Sequence, residues 1–196
     1  MQVQTPQRVY TPEEYLALEE TAEYKSEYHD GEIIPMTGGT TNHNKIALNF
    51  CRKFPLTIQE QNYEIFLSDV RLWIPRYRRY VYPDVMVIQG QPIYEGSGKT
   101  TVTNPLLIIE VLSPSTKNYD KGDKFEFYRS IRNFQEYILI DPSKFQIEQY
   151  TRTSPTQWLF TEYQNEDSIV NFSSVSFNLC LKELYERVDF NDSEEE

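Results

Sequence analysis

The chain has 196 residues, of which 39% are hydrophobic, and a formal net charge of −11. This length is typical of one domain with its own core, and no apolar run is long enough to cross a membrane. We therefore expect a single domain over residues 1–188 and an acidic, disordered tail over 189–196. The opening residues lack the pattern of a signal peptide, so we expect a cytoplasmic protein. An acidic chain repels nucleic acid by default, so a nucleic-acid site would need a locally basic cleft.

The first half of the chain begins with a helix whose start is marked by Thr11, Pro12 and Glu14. Threonine can cap the helix, proline suits its first position, and the glutamate can close a capping box. A hairpin follows, with Asp30-Gly31 at its tight turn. The remaining elements predicted here are a helix from a cap at Thr41 or Asn42 to Phe54, and strands over 63–66, 69–74 and 81–88.

The second half follows a strand–helix–strand pattern. A loop over 89–104 leads to an apolar strand over 106–112, and Asp120 is expected to cap a helix that runs to Ile131. A second apolar strand over 136–140 implies a parallel pair. The last predicted elements are strands over 145–151 and 158–163 and a helix over 177–187. The predicted fold class is α/β or α+β, with a mixed sheet flanked by helices.

Two of the apolar strands each contain one carboxylate, Asp84 and Glu110. A carboxylate among apolar residues is costly unless it is paired or binds a metal. If the two strands are neighbours, the alternation of side chains lets these acids lie side by side. The repulsion between two adjacent carboxylates is removed either when one of them takes up a proton, through a raised pKa, or when a divalent cation binds between them. Oxygen ligands favour Mg²⁺ or Mn²⁺.

A lysine lies on the apolar face of the helix that follows Glu110. At about 100° per residue, Lys124 shares this face with Asp120, Phe127 and Tyr128. A lysine in that position must extend to the surface, pair with an acid or point into a site. We expect Lys124 to reach back towards Glu110, where it could orient an attacking water or offset charge.

These residues resemble the PD-(D/E)XK nuclease motif. Pro83-Asp84 and Glu110-Val111-Leu112 supply its two acids, but Leu112 stands where the motif has lysine. The wider context resembles the Uma-two family of restriction-endonuclease-like proteins, in which the lysine has moved to the following helix, here Lys124. The stretches that carry this resemblance are Ser26 to Ile34, Ser68 to Leu72, Tyr82 to Val85, Glu110 to Thr116, Asp120 to Tyr128, Glu136-Tyr137 and Asp141-Pro142.

The resemblance implies a restriction-endonuclease-like core and a set of site residues. It implies Asp84 and Glu110 as Mg²⁺ (or Mn²⁺) ligands, with Glu27 as a third acid near the metal. Asp120, Tyr128 and Val111 would support the site. Homo-oligomerisation, as a dimer, is expected from the family alone.

Structural alternatives remain for several of these residues. Asp84 could be a strand-end acid held by Arg71 or Arg79. Glu110 could form a buried ion pair with Lys124 without any metal. Glu27 could be a solvent-facing residue of the hairpin. His43, at a helix start, is interpreted as structural.

The sequence therefore predicts a metal-dependent phosphodiesterase, a DNA endonuclease in which Asp84, Glu110, Glu27 and Lys124 form the active site. One alternative is a catalytically silent, nuclease-like module for binding or regulation. A second alternative is a small-molecule hydrolase on the same fold, because a fold does not fix its substrate.

Overall fold

The structure, a computed structural model, describes residues 8–191 of the chain. The opening residues 1–7 and most of the predicted tail, 192–196, lie outside the described part. Asp189 and Phe190, also assigned to that tail, do make contacts: the carbonyl of Asp189 accepts a hydrogen bond from Asn42, and Phe190 packs against Phe145. The boundary predicted at 189 is therefore too early. No helix within residues 8–191 is long and apolar enough to cross a membrane.

The described elements are helices and strands, most of them short. The helices are α1 (Pro12–Glu19), α2 (Thr41–Lys53), α3 (Lys117–Tyr119), α4 (Phe125–Tyr128) and α5 (Leu181–Leu184), with a 3₁₀ turn at Pro75–Tyr77 and a π-helical turn at Asp120–Lys124. The strands are β1 (Ser26–His29), β2 (Glu32–Pro35), β3 (Thr57–Ile58), β4 (Gln61–Leu67), β5 (Arg71–Ile74), β6 (Arg79–Val81), β7 (Val85–Gln89), β8 (Thr101–Val102), β9 (Leu107–Val111), β10 (Glu136–Ile140), β11 (Ile147–Ser154), β12 (Gln157–Tyr163), β13 (Ile169–Phe172) and β14 (Phe177–Cys180).

The predicted start of the chain is confirmed in detail. The hydroxyl of Thr11 accepts a hydrogen bond from the backbone N–H of Glu14, and the carboxylate of Glu14 accepts one from the N–H of Thr11, so the capping box is complete. The hairpin of β1 and β2 turns at Asp30 and Gly31, both of which have positive φ. The cap of α2 is Thr40, one residue before the predicted position.

The strands form two main sheets. A seven-stranded sheet has the order β12-β11-β10-β9-β7-β4-β3, and within it β9 and β10 form the predicted parallel pair. A five-stranded sheet has the order β2-β1-β6-β5-β8. The fold is therefore a mixed α+β arrangement with helices against the sheets, as the sequence predicted. The small strand β8 lies inside the segment 89–104 that was predicted as a loop.

The predicted strand over 81–88 is in fact two strands that belong to different sheets. β6 ends at Val81 in the five-stranded sheet, and β7 begins at Val85 in the seven-stranded sheet. Pro83 lies between them and has no N–H to donate to a strand ladder. The chain therefore changes sheet at this point, and Asp84 lies just before β7 rather than inside a strand.

The central strands are apolar on both faces, and each face packs against a different layer. Residues of one parity pack with α2, α5 and the β13–β14 hairpin; examples are Val85, Ile109 and Ile138. Residues of the other parity, such as Met86 and Ile108, pack with α4 and the five-stranded sheet. Glu110 has the parity of Ile108, so its side chain points towards α4.

Two helix predictions are wrong at their ends. The helix that follows β9 begins at Lys117, so Asp120 is an interior residue and not its cap. We call the three consecutive segments α3, the π-helical turn and α4 the site helix; it ends at Tyr128 rather than Ile131. The predicted helix over 177–187 is strand β14 followed by the single turn of α5.

Candidate functional site

Asp84 and Glu110 lie next to each other, and each is held by the backbone of the other strand. β7 and β9 are antiparallel neighbours in which Val85 faces Ile109. The N–H of Asp84 donates to Oε2 of Glu110 at 3.3 Å, and the N–H of Val111 donates to Oδ2 of Asp84 at 2.8 Å. The predicted proximity of the two acids is therefore present, although Asp84 precedes its strand.

Lys124 reaches Glu110 from the site helix, as its position on the apolar face indicated. Its ammonium group lies 3.1 Å from Oε1 of Glu110 and 2.8 Å from Oδ1 of Asp120. The hydroxyl of Tyr128 donates to the same Oε1 of Glu110 at 2.7 Å. All four side chains are buried, with Glu110 only 2% exposed. Asp120 and Tyr128 therefore touch the lysine and the glutamate whose positions they were predicted to support.

The charges of this cluster do not balance. Burial raises the pKa of Glu110 to about 8; Lys124 opposes this rise, whereas repulsion from Asp84 and Asp120 adds to it. Burial alone would lower the pKa of Lys124, but Glu110 and Asp120 together raise it well above its usual value. Lys124 is therefore protonated at neutral pH, whereas Glu110 is mostly uncharged there because its ionised form is unfavourable in this buried setting.

Glu27 faces the same cavity and is not the solvent-facing residue of the alternative interpretation. It is 8% exposed, and its carboxylate accepts hydrogen bonds from the backbone N–H of Tyr82 at 3.2 Å and pairs with Nε2 of His29 at 2.8 Å. Burial acts to raise the pKa of Glu27, but His29 and Lys124 outweigh it, so the pKa is lowered. Glu27 is thus an ionised, buried acid beside Lys124.

His43 belongs to the site, although the sequence analysis interpreted it as structural. It lies in the first turn of α2, and its Nε2 is 3.0 Å from Oδ2 of Asp84. Burial lowers the pKa of His43, but the hydrogen bond and charge of Asp84 raise it overall. The sequence signal for this contact was weak, because nothing in the local pattern shows that α2 begins beside β7.

The arginines proposed to hold Asp84 have other neighbours. The guanidinium of Arg71 donates to the hydroxyls of Thr100 and Thr101 at 3.0 and 3.1 Å. The guanidinium of Arg79 lies over the ring of Phe127, 4.1 Å from its centroid. The alternative in which one of these arginines holds Asp84 is therefore wrong, because the partners of Asp84 are His43 and the N–H of Val111.

These side chains line one cavity of about 910 Å³. It is bounded by β1, the start of β7, the end of β9 and the site helix. Its wall includes every predicted site residue except Tyr128, namely Glu27, Asp84, Glu110, Val111, Asp120 and Lys124. Four further residues that the sequence analysis did not assign to the site also line it: His29, His43, Arg79 and Tyr119.

The donor chemistry fits a hard divalent cation, although the site is not a preformed cage. Within residues 8–191, no group of three or more His, Cys, Asp or Glu side chains is arranged to hold a metal ion. Asp84 and Glu110 supply two adjacent carboxylates, and Val111, whose N–H donates to Asp84, lines the cavity beside them. Oxygen donors of this kind suit Mg²⁺ or Mn²⁺, and a cation would neutralise the negative charge that burial makes unfavourable.

Two proteins are similar in sequence to this chain over most of its length. "Uncharacterized protein sll1609" of Synechocystis sp. is 46% identical over 173 residues, which is 88% of this chain and 98% of that protein. "Uncharacterized protein slr1290" of the same organism is 33% identical over 92% of this chain and 93% of its own length.

A solved structure and a family model agree with these relatives. The crystal structure of "a putative nuclease belonging to DUF820" from Anabaena variabilis ATCC 29413 matches with a TM-score of 0.68 and 23% identity, over 90% of this chain and 97% of that one. That likeness supports the restriction-endonuclease-like fold predicted from the sequence. The model of the family Uma2, described as "Putative restriction endonuclease", matches residues 12–181. The chain therefore belongs to the Uma2 family.

Proposed function

We propose that this chain is a metal-dependent nuclease that hydrolyses phosphodiester bonds, with DNA as its substrate. The observation that carries the proposal is the contact between Asp84 and Glu110 at adjacent strand ends, with Lys124 3.1 Å from Glu110 in the same cavity. Family membership and the nuclease description of a structural neighbour support the same function.

In this proposal Asp84 and Glu110 hold Mg²⁺ or Mn²⁺, with Glu27 as a third acid near the ion and Val111 in support. The bound ion supplies charge neutralisation at the phosphate and makes water more acidic. Asp84 is oriented for this role by the N–H of Val111 and by His43, so its carboxylate position is fixed before substrate arrives. Glu27 is an ionised carboxylate near Lys124, so it adds negative charge to this wall of the cavity.

Lys124 acts as a hydrogen-bond donor in this mechanism. Its pKa is raised well above the usual value by Glu110 and Asp120, so it carries a proton at neutral pH and does not serve as a base. A protonated lysine at the wall of the cavity can orient the attacking water and offset charge that develops on the phosphate. Its anchoring to Asp120 keeps the ammonium group in place if Glu110 turns towards an ion.

The test is cleavage of supercoiled plasmid and of single-stranded DNA with Mn²⁺. Wild-type protein should cleave, whereas Asp84→Asn and Lys124→Met should lose activity by a factor of about 100 or more. Asp167→Asn, which changes an exposed turn, is the matched carboxylate control and should cleave like the wild type. Equal cleavage by all four proteins would refute the site.

One observation favours a second function, a binding or regulatory module without catalysis. The ion pairs of Lys124 with Glu110 and Asp120 already satisfy part of the charge that a metal would neutralise. Calorimetric titration with Mg²⁺ separates the two functions. A catalytic site should bind in the millimolar range or tighter and lose this binding in Asp84→Asn, whereas the silent module should show no binding.

A further inference from the structure

Arg79 is a partly buried arginine, and two of its three side-chain nitrogen atoms have no acceptor among the described residues. Its side chain lines the cavity, and its Nε and Nη1 atoms are buried without a hydrogen-bond partner within residues 8–191. The contact with the ring of Phe127 offsets only part of the cost of burying such a charge. A guanidinium with unpaired donors is stabilised by a bound anion, and its planar set of donors matches the oxygens of a phosphate.

Further donors lie on the same part of the wall. The hydroxyl of Tyr119 is 3.4 Å from Nε2 of His29, and the ring of Tyr119 lies 5.6 Å from the ammonium of Lys124. Burial and the negative charge of Glu27 raise the pKa of the Tyr119 phenol, whereas the positive charges of Arg79 and Lys124 lower it. Tyr119 thus has both cationic groups and one carboxylate near it, and all four side chains line the cavity.

An aromatic residue stands at the mouth of the cavity without packing there. Tyr24 lines the cavity in the bend before β1, yet its side chain is 79% exposed. Ile34 on β2 lines the same mouth and is 39% exposed. Arg79 and Lys124 line the same cavity, and an exposed aromatic ring in a site with cationic groups is a platform on which an unpaired base stacks.

The size and charge of the protein disfavour a duplex at this site. A cavity of about 910 Å³ has the volume of a pocket for a small molecule or a few unstacked nucleotides. The bases of a duplex are stacked on one another and cannot reach an aromatic platform unless they are extruded. A net charge of −11 also opposes the long series of phosphate contacts on which duplex binding depends.

We infer that the substrate of this site is single-stranded nucleic acid, with a base stacked on Tyr24 and a phosphate bound by Arg79. This inference rests on the proposed nuclease function and specifies its substrate class. The stacked base and the bound phosphate set the register of the strand, so that a phosphodiester farther into the cavity lies beside Asp84 and Glu110.

The test measures binding separately from cleavage, by fluorescence anisotropy of labelled oligothymidylate, oligouridylate and a DNA duplex, in EDTA and again with Ca²⁺. The variants are Tyr24→Ala with Tyr24→Phe as its conservative partner, and Arg79→Met with Arg79→Lys. Phe160→Ala removes a comparably exposed aromatic residue on β12, and Arg76→Met removes an exposed arginine near Arg79. Thermal unfolding of each variant shows whether it is folded.

Wild-type protein should bind at least one of the two single strands more tightly than the duplex; tighter binding of oligouridylate than of oligothymidylate would overturn DNA as the proposed substrate. Tyr24→Ala and Arg79→Met should each weaken that binding by about tenfold, whereas Tyr24→Phe and both controls should bind like the wild type. Arg79→Lys should lose less than Arg79→Met. Duplex binding as tight as single-strand binding, no binding of any probe, or wild-type affinity in the two truncated variants would overturn the inference.

Cleavage of the same probes with Mn²⁺ separates the two proposals. Asp84-dependent cleavage of duplex and single strands at equal rates would leave the nuclease function intact and overturn the substrate class. Single-strand binding that depends on Tyr24 and Arg79 but never leads to cleavage would support the binding site and refute the nuclease function.

Discussion

Glu110→Gln tests the electrostatics of the site through stability alone. Burial raises the pKa of Glu110 from 4.5 to about 8 on folding. Attraction by Lys124 opposes this rise, and repulsion from Asp84 and Asp120 adds to it. The folded state therefore holds this proton more tightly than the unfolded state, so the ionisation of Glu110 lowers the free energy of unfolding as the pH rises from 4.5 to 8. Between pH 6 and pH 9 this effect amounts to about 2–3 kcal/mol. Glutamine does not titrate, so the Glu110→Gln variant lacks this loss of stability.

The substitution also removes one interaction at every pH. Glutamine can still accept the hydroxyl of Tyr128, but its amide group cannot accept the N–H of Asp84, a loss of about 1 kcal/mol. Lys124 keeps its ion pair with Asp120 at 2.8 Å, so it is not left without a partner. The free energy of unfolding of Glu110→Gln, relative to wild type, should therefore rise by about 2–3 kcal/mol from pH 6 to pH 9.

The assay is urea unfolding followed by circular dichroism, in EDTA so that no divalent ion contributes. Glu32→Gln, on the exposed face of β2, is the matched control and should follow the wild type at both values of pH. If Glu110→Gln differs from wild type by the same amount at pH 6 and pH 9, Glu110 does not have a raised pKa and the reasoning fails.

Three further predictions concern the same molecule. Lys124→Met should lower the free energy of unfolding by about 3–5 kcal/mol in urea, because it leaves buried carboxylates unpaired; a change no larger than that of Lys182→Met, which alters an exposed lysine, would contradict this. Thr11→Ala should lower the free energy of unfolding by about 1 kcal/mol in the same assay without reducing cleavage; a loss of cleavage as large as that of Asp84→Asn would contradict this. Mg²⁺ should raise the melting temperature of the wild type in differential scanning fluorimetry; an equal rise in Asp84→Asn would exclude Asp84 as a ligand.

The parts of the site that could be predicted from sequence depend on regular periods. The alternation along β9 placed Glu110 on the face of Ile108, and the helical period placed Lys124 beside Tyr128. The strand–helix–strand order then brought lysine and glutamate together, because the crossover returns to the sheet beside β9. The contact between Lys124 and Glu110 therefore followed from local patterns and one rule of topology.

The contacts that were missed depend on where separate elements meet. His43 reaches Asp84 only because α2 begins beside the end of β6 and the start of β7. The pairing of His29 with Glu27 is different, because both residues lie on β1 and residues two apart on a strand share a face, so the strand period could have indicated it. No local period encodes the distance from His43 to Asp84, so His43 could not be assigned from the sequence.

The C-terminal error has a different cause. Phe177, Leu181 and Leu184 share one side of a helix at about 100° per residue, but Leu179 lies on the opposite side. The alternation of Phe177, Leu179 and Leu181 has instead the period of a strand, although so short an apolar run is a weak signal. Pairing of β14 with β13 decides the outcome, since Val170 and Leu179 face each other and both pack into the core beside α2.

The π-helical turn of the site helix accommodates one residue without separating Lys124 from Asp120. A π turn holds one residue more than an α turn, so deletion of Gly122 would allow the helix to return to α geometry. Lys124 would then follow Asp120 by three residues instead of four, and side chains at either spacing are neighbours on one face of a helix. The ion pair at the wall of the cavity therefore depends on the two side chains themselves more than on the exact number of residues between them.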